Sequence, residues 1–148
     1  MEELKIRRMR EEDLNKVLEI ENLSFSNPWS RNAFLFELVN RGISYPIIIE
    51  KEDKIIGYSI MWIIGEESHI TNIAIHPHYR KMGIGKFILE KLITISKKRK
   101  AKYISLEVRK SNKNAVMLYE KMEFKLIGIR KNYYTNPLED ALIYLKQI

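Results

Sequence analysis

Residues 72–86 read Asn-Ile-Ala-Ile-His-Pro-His-Tyr-Arg-Lys-Met-Gly-Ile-Gly-Lys, and no other stretch constrains the chain so strongly. β-Branched and apolar residues up to Ile75 predict a strand. Pro77 bends the chain, and the glycines Gly83 and Gly85 lead into a long amphipathic run. A strand that continues through a loop and a helix into another strand calls for parallel pairing. The same order gathers free backbone N–H groups, the positive end of a helix dipole and the cations Arg80, Lys81 and Lys86 around one point. Such a point binds phosphate.

Spacing narrows the carrier of that phosphate. A nucleotide P-loop needs glycines five apart, then Lys and Ser or Thr. Here Gly83 and Gly85 are two apart, and Lys86 is followed by Phe87. A dinucleotide fingerprint needs a small residue three after its second glycine; Ile88 stands there. Arg80-x-x-Gly83-x-Gly85 remains.

The rest of the chain reads as alternating elements. Residues 4–8 form a first strand. Glu11, Glu12 and Asp13 occupy the favourable first turn of a helix whose stripe runs Leu14, Val17, Leu18, Glu21. Asn27-Pro28-Trp29-Ser30 ends it, with Ser30 capping a second helix. Strands follow at 45–50, 55–64 and 69–75, joined by short charged turns. A helix covers 85–99, with Ile84, Ile88, Leu89, Leu92 and Ile95 on one stripe. A strand at 103–108, a short helix opened by Ser111 and Asn112, and strands at 124–130 and 141–145 complete the chain. The fold class is α/β (α+β): a mixed central sheet with helices on both faces, in the order β-α-α-β-β-β-α-β-α-β-β. Short turns make the middle strands antiparallel, and both strand–helix–strand units are expected to be parallel.

Residues 1–148 have the size of a single domain. A hydrophobic fraction of 45% and four prolines describe a folding chain. No run approaches the ~18 apolar residues that would cross a membrane, and the first residues carry no apolar signal region. The absence of cysteine excludes disulfides, thiolate zinc sites and cysteine nucleophiles, and fits a cytoplasmic setting. His69, His76 and His78 lack further ligands nearby in sequence, so no metal is expected; exposed loop positions account for them. A net charge of +7 suits an anionic ligand, a ribosome or an acidic substrate. Its densest run, residues 97–100, sits at a helix C-terminus, where cations complement the dipole, and nucleic acid is not the expected partner.

The spacing Arg80-x-x-Gly83-x-Gly85 resembles the pyrophosphate loop of the GCN5-related N-acetyltransferases (GNAT). The likeness extends over nearly the whole chain, and its form is most similar to the RimI-type protein N-terminal acetyltransferases. It is carried by Asn27-Pro28-Trp29-Ser30, by Asn72-Ile73-Ala74-Ile75 with the glycine loop, and by Leu106-Glu107-Val108-Arg109-Lys110-Ser111-Asn112 with residues 115–120. Arg130-Lys131-Asn132-Tyr133-Tyr134 and Glu139-Asp140-Ala141 complete it. The resemblance implies acetyl-CoA as co-substrate and the N-terminus of a ribosomal or other protein as acceptor. It also implies a central pair of parallel strands that splay apart.

The same resemblance implies roles. Glu107 would be the general base and Tyr119 the acid that protonates the CoA sulfur. Ile73, Ala74 and Ile75 would offer backbone to the pantetheine arm, and Arg80, Lys81, Met82, Gly83, Ile84, Gly85 and Lys86 would hold pyrophosphate. Asn112 would contact the cofactor while capping its helix, and Trp29, Tyr133 and Tyr134 would close over the substrate. The residues alone leave blander readings open: a solvent-facing strand position for Glu107, a core ring for Tyr119, packing for Trp29 and the tyrosine pair. With no cysteine, acyl transfer through a thiol intermediate is impossible, and direct attack in a ternary complex is the economical route. Two alternatives stand beside this reading. One is an enzyme of the same family acting on a small amine or a lysine side chain. The other is a basic ribosome- or RNA-binding domain, in which Glu107 has no task.

Overall fold

A computed structural model describes residues 3–148. Strand β1 (Leu4–Arg8) leads through a 3₁₀ turn (Glu11–Asp13) into α1 (Leu14–Ser24) and α2 (Arg31–Val39). Strands β2 (Ser44–Lys51), β3 (Lys54–Ile64) and β4 (Glu67–Ile75) follow. A second 3₁₀ turn (Pro77–Tyr79) precedes α3 (Ile84–Lys98), β5 (Tyr103–Arg109), α4 (Lys113–Lys121), β6 (Lys125–Tyr134) and β7 (Glu139–Gln147). Helix starts follow the side chains available: Ser30 Oγ accepts from the Ala33 N–H at 3.1 Å and Asn112 Oδ1 from the Ala115 N–H at 3.3 Å.

The seven strands form one sheet in the order β1-β2-β3-β4-β5-β7-β6. β1 to β4 are an antiparallel meander, β4 and β5 are parallel, and β7 pairs antiparallel with both β5 and β6. The second strand–helix–strand unit therefore differs from expectation in one respect. β5 and β6 point the same way, but β7 lies between them. Composition explains the order: Ala141, Leu142 and Tyr144 are buried and suit an interior strand, whereas β6 is exposed along most of its length and carries Lys125, Arg130 and Lys131. β6 also runs on past residue 130 to Tyr134, so the tyrosine pair sits on a strand end.

Each face of the sheet has its own core. Leu14, Val17, Ile20 and Phe34 of α1 and α2, all fully buried, pack on Ile48, Tyr58 and Ile60. On the other face Ile84, Ile88, Leu89 and Leu92 of α3 and Tyr119 of α4 pack on Ile49, Ile70, Ile104 and Leu106. Each such aliphatic side chain contributes about 1.5–3 kcal/mol of burial.

One irregularity creates the site. Ile60 faces Asn72 while Met61 faces Ile70, so Thr71 is an extra residue in β4. Its hydroxyl satisfies the Ile60 carbonyl at 3.1 Å. A bulge bends its strand and reverses the alternation beyond it. Ser68 and Ile70 face α3, yet Asn72 and Ala74 face α1. The pairing of β4 with β5 stops at the same place, with Ile70 opposite Leu106. From there the two parallel strands diverge and leave a slot through the sheet.

Candidate active site

A cavity of about 520 Å³ fills the slot. Its walls are Ile70 to Ile73 of β4 and Leu106 to Arg109 of β5, with the α1–α2 loop, the start of α4 and the β6–β7 connection around the rim. Glu107 and Tyr119 both line it. They enter from opposite faces. Ile104, Leu106 and Val108 point into the α3–α4 core, so alternation sends Ser105 and Glu107 to the other face, where no helix covers β5. Tyr119 comes from α4, on the core side.

Glu107 is half-buried, with its carboxylate between two basic groups. Arg130 Nε lies 2.7 Å from Oε2 and His69 Nε2 lies 3.8 Å from Oε1. The Arg130 contact is a charge contact without hydrogen-bond alignment: Oε2 is buried and has no hydrogen-bond partner among the described residues. Tyr119 is 6% exposed, with its ring against Phe124 and Tyr144. Burial pushes its phenol up to about 12, with Tyr134 adding to the shift, so the group is neutral and able to donate near pH 7. The ring is at once part of the core and part of the cavity wall.

Between these groups β4 offers backbone. The His76 N–H donates to the Ile56 carbonyl of β3 and the Ile75 carbonyl accepts from Arg80 Nε at 3.0 Å. Alternation then aims the N–H groups of Ile73 and Ile75 into the slot and that of Ala74 at β3. Of the three strand residues, Ile73 lines the cavity, Ala74 is buried against α1, and Ile75 leads to Arg80, whose Nη2 also donates to Ser24 Oγ at 3.0 Å. The unpaired edge of β4 is thus a track from the cavity to the glycine loop.

The loop itself is exposed and lies outside the cavity lining. Gly83 adopts the left-handed conformation (φ 80°), as does Lys81 (φ 63°). Gly83 brings no side chain to cap α3, so the N–H groups of Ile84, Gly85 and Lys86 point outward beside Lys81 and Lys86. Met82 is half-exposed beside them. Gly85 serves a different purpose from Gly83: a Cβ there would meet Leu118 Cδ2 at 3.0 Å, so the small residue lets α3 approach α4.

Asn112, Trp29 and Tyr134 line the cavity; Tyr133 does not. Tyr133 stacks edge-on against Tyr134 with ring centroids 5.1 Å apart, and Arg130 lies over its ring. Burial and the Glu107 charge push the Tyr134 phenol up to about 12. Over the rim, Asn27 Nδ2 donates to the Thr135 carbonyl at 2.8 Å. Arg109 donates to the Pro137 and Thr135 carbonyls at 3.0 and 2.9 Å and pairs with Glu139 at 3.1 Å. The α1–α2 loop and the β6–β7 connection are thereby strapped together over the uncovered face. Hydrogen bonds from Ser111 and then Arg109 hold the Glu139 carboxyl below its ordinary value.

The profile of the Acetyltransferase (GNAT) family matches residues 14–124. The chain belongs to the GNAT family of acetyltransferases. It is 35% identical over 133 residues, 88% of each chain, to the [ribosomal protein bS18]-alanine N-acetyltransferase of Escherichia coli K12. A Bacillus subtilis 168 relative, provisionally assigned the same activity, is 43% identical over 138 residues, 93% of this chain and 91% of its own. The crystal structure of the E. coli ribosomal-protein-S18-alanine N-acetyltransferase superposes with a TM-score of 0.90 at 32% identity, covering 99% of this chain and 94% of that one.

GNAT acetyltransferases draw the acetyl group from acetyl-CoA. The residues present fit that molecule: outward N–H groups and cations at α3 for the pyrophosphate, an unpaired strand edge for the pantetheine amides, and a cavity for the thioester.

Several residues here were missed by sequence reasoning. His69 is half-buried in β4, with Nδ1 2.8 Å from Ser105 Oγ, and is no loop residue. Arg109 and Glu139 stand within the resembling stretches, yet nothing local marks them as a strap. Glu21 left a signal, since it is a carboxylate on an apolar stripe. It is 1% exposed and accepts from Tyr58 OH, from Asn72 Nδ2 at 2.9 Å and from the Trp29 N–H at 2.9 Å. One carboxylate thus joins α1 to the bulged part of β4 and to the rim loop.

Proposed function

We propose that this protein, one N-acetyltransferase domain over residues 1–148, transfers the acetyl group of acetyl-CoA to the α-amine of a protein N-terminus. A ribosomal protein that begins with alanine is the first candidate substrate, by analogy with the bS18-alanine N-acetyltransferase relatives. The cytosol, where ribosomal proteins are made, is the matching compartment, and no metal takes part. The observation that carries the reading is the cavity: a carboxylate and a neutral phenol enter it from opposite faces, and Ile73 of β4 lines the same cavity.

The chemistry follows from that placement. The α-ammonium enters from the strapped face and meets the Glu107 carboxylate, which lines the cavity. A free α-amine has a pKa of about 8, against roughly 10.4 for lysine, so a carboxylate can deprotonate it near neutral pH. The neutral nitrogen attacks the thioester carbon. Ile73 N–H stabilises the charge that grows on the carbonyl oxygen. As the C–S bond breaks, Tyr119 gives its proton to the departing sulfur and takes up the second proton that the acylated nitrogen sheds, which restores the phenol. Trp29 and Tyr134 hold the first residues of the peptide, while residues 81–86 and Asn112 hold the nucleotide and pantetheine parts.

Thiol release from acetyl-CoA, followed with matched peptides, tests this. Turnover is expected with a free N-terminal alanine and not with a blocked N-terminus bearing an internal lysine. The reverse preference assigns the enzyme to side-chain amines and overturns the α-amine reading.

A further inference from the structure

A second, smaller hollow of about 190 Å³ lies on the uncovered face of β5 and β7. Glu107 lines both this hollow and the main cavity; His69 lines only the hollow. The carboxylate is therefore the partition between the place where an amine would lose a proton and a separate route to solvent.

Proton balance gives such a route a task. An α-ammonium carries three N–H protons, and the secondary amide it becomes carries one. Of the two that leave, one ends on the CoA sulfur and the other must reach water. The strap of Asn27, Arg109 and Thr135 spans the rim on the entry side, so an exit through the hollow frees Glu107 of its proton while a peptide is still seated.

The hydrogen-bond network prepares His69 to provide it. Ser105 Oγ lies 2.8 Å from His69 Nδ1 and donates its own proton toward the Ser68 carbonyl at 3.5 Å. In the tautomer where Nδ1–H donates to Ser105 Oγ, Nε2 presents a bare lone pair to Glu107. The 3.8 Å gap to Oε1 closes to hydrogen-bond distance with a small side-chain rotation.

We propose that His69 is a relay residue: Nε2 takes the proton that Glu107 has collected from the amine and releases it to water through the second hollow. This rests on the α-amine reading above. The carboxylic O–H bond breaks, the Nε2–H bond forms, and the imidazolium then returns its proton to solvent, which leaves Glu107 a carboxylate again. The surroundings suit a group that must not keep the proton. Burial holds the imidazole below its ordinary value, Glu107 opposes that shift and Arg130 adds to it. The other ionisable groups lining the hollow are Glu67 of β4 and Tyr103 of β5; from β3, uncharged Trp62 stands opposite His69, with its indole N–H on Glu37 of α2.

Two measurements decide it. Nitrogen NMR of the full-length protein is expected to show the Nδ1–H tautomer, with the His69 titration moving down in Glu107→Gln and up in Arg130→Gln. An Nε2–H tautomer, or a titration indifferent to Glu107→Gln, overturns the relay whether or not any peptide is acetylated. In the thiol-release assay with the N-terminal alanine peptide, His69→Gln should lower kcat by roughly tenfold near neutral pH, less than the 10²–10⁴ a general base supplies. KM for acetyl-CoA should hold, the loss should shrink as pH rises, and added imidazole should restore part of the rate. An unchanged kcat across pH sinks the relay while leaving the α-amine reading standing. A wild-type protein that acetylates only lysine sinks the α-amine reading, and the NMR result still judges the relay.

Discussion

Glu107 and Tyr119 line one cavity under different physical demands. Glu107 sits at the edge of the uncovered face, where the Arg130 guanidinium offsets its charge. Tyr119 is buried, and burial keeps its phenol neutral far above working pH. Glu107→Gln and Tyr119→Phe should each lower kcat by about 10²–10⁴ while leaving KM for acetyl-CoA nearly unchanged, because neither holds the nucleotide. Steady-state kinetics with acetyl-CoA varied checks both. The two glycines of the loop should separate in the same way. Gly83→Ala places a Cβ on a left-handed residue, which costs about 1–2 kcal/mol, and should raise KM for acetyl-CoA. Gly85→Ala meets only the flexible end of Leu118 and should cost less. Equal effects on KM would contradict the division of labour between them.

Among the elements, α1 and β4 depend on each other through Glu21. Its carboxylate satisfies Tyr58, Asn72 and the Trp29 N–H, all away from water. Glu21→Ala leaves three donors unpaired and should destabilise the protein by about 3 kcal/mol, a fall in Tm of roughly 10 °C for a chain of this length. Calorimetry measures it, and a loss under 1 °C would show that the network is dispensable. The elements themselves were largely legible. Alternation marked β2 to β5, the 3.6-residue stripe marked α3, and Ser30 and Asn112 marked their helix starts. The bulge at Thr71 was not legible. Threonine is an ordinary strand residue, and its extra position exists only relative to β3 and β5.

For the whole molecule, acid stability is the property most exposed to test. Arg7 and Asp13 form a bidentate pair, both contacts at 2.8 Å, that ties β1 to the turn before α1. Burial raises the Asp13 carboxyl, but hydrogen bonds from Arg7 and the Arg10 N–H outweigh it, and its pKa is lowered overall. A folded value below the unfolded one gives stability that is present above the usual carboxylate range of about 3.9 and is lost as pH falls through the folded value. Asp13→Asn should therefore reduce stability at pH 7 and flatten the decline below pH ~4. Denaturant titrations at several pH values measure both, and parallel curves for the two proteins would contradict the assignment.

The sequence by itself determined the element order, the glycine loop before α3 and the kinds of residue placed around the cavity. These rest on interactions within a few residues of one another: periodicity, capping, and glycine at a left-handed turn. Only the tertiary structure decided what surrounds the reacting groups. It placed β7 between β5 and β6, opened the slot at Thr71, and brought His69 and Arg130 to the two oxygens of Glu107. Those contacts join residues from three strands. Their meeting depends on strand order and register, which are set by how the two cores pack on the sheet and leave no mark in any single stretch of the chain.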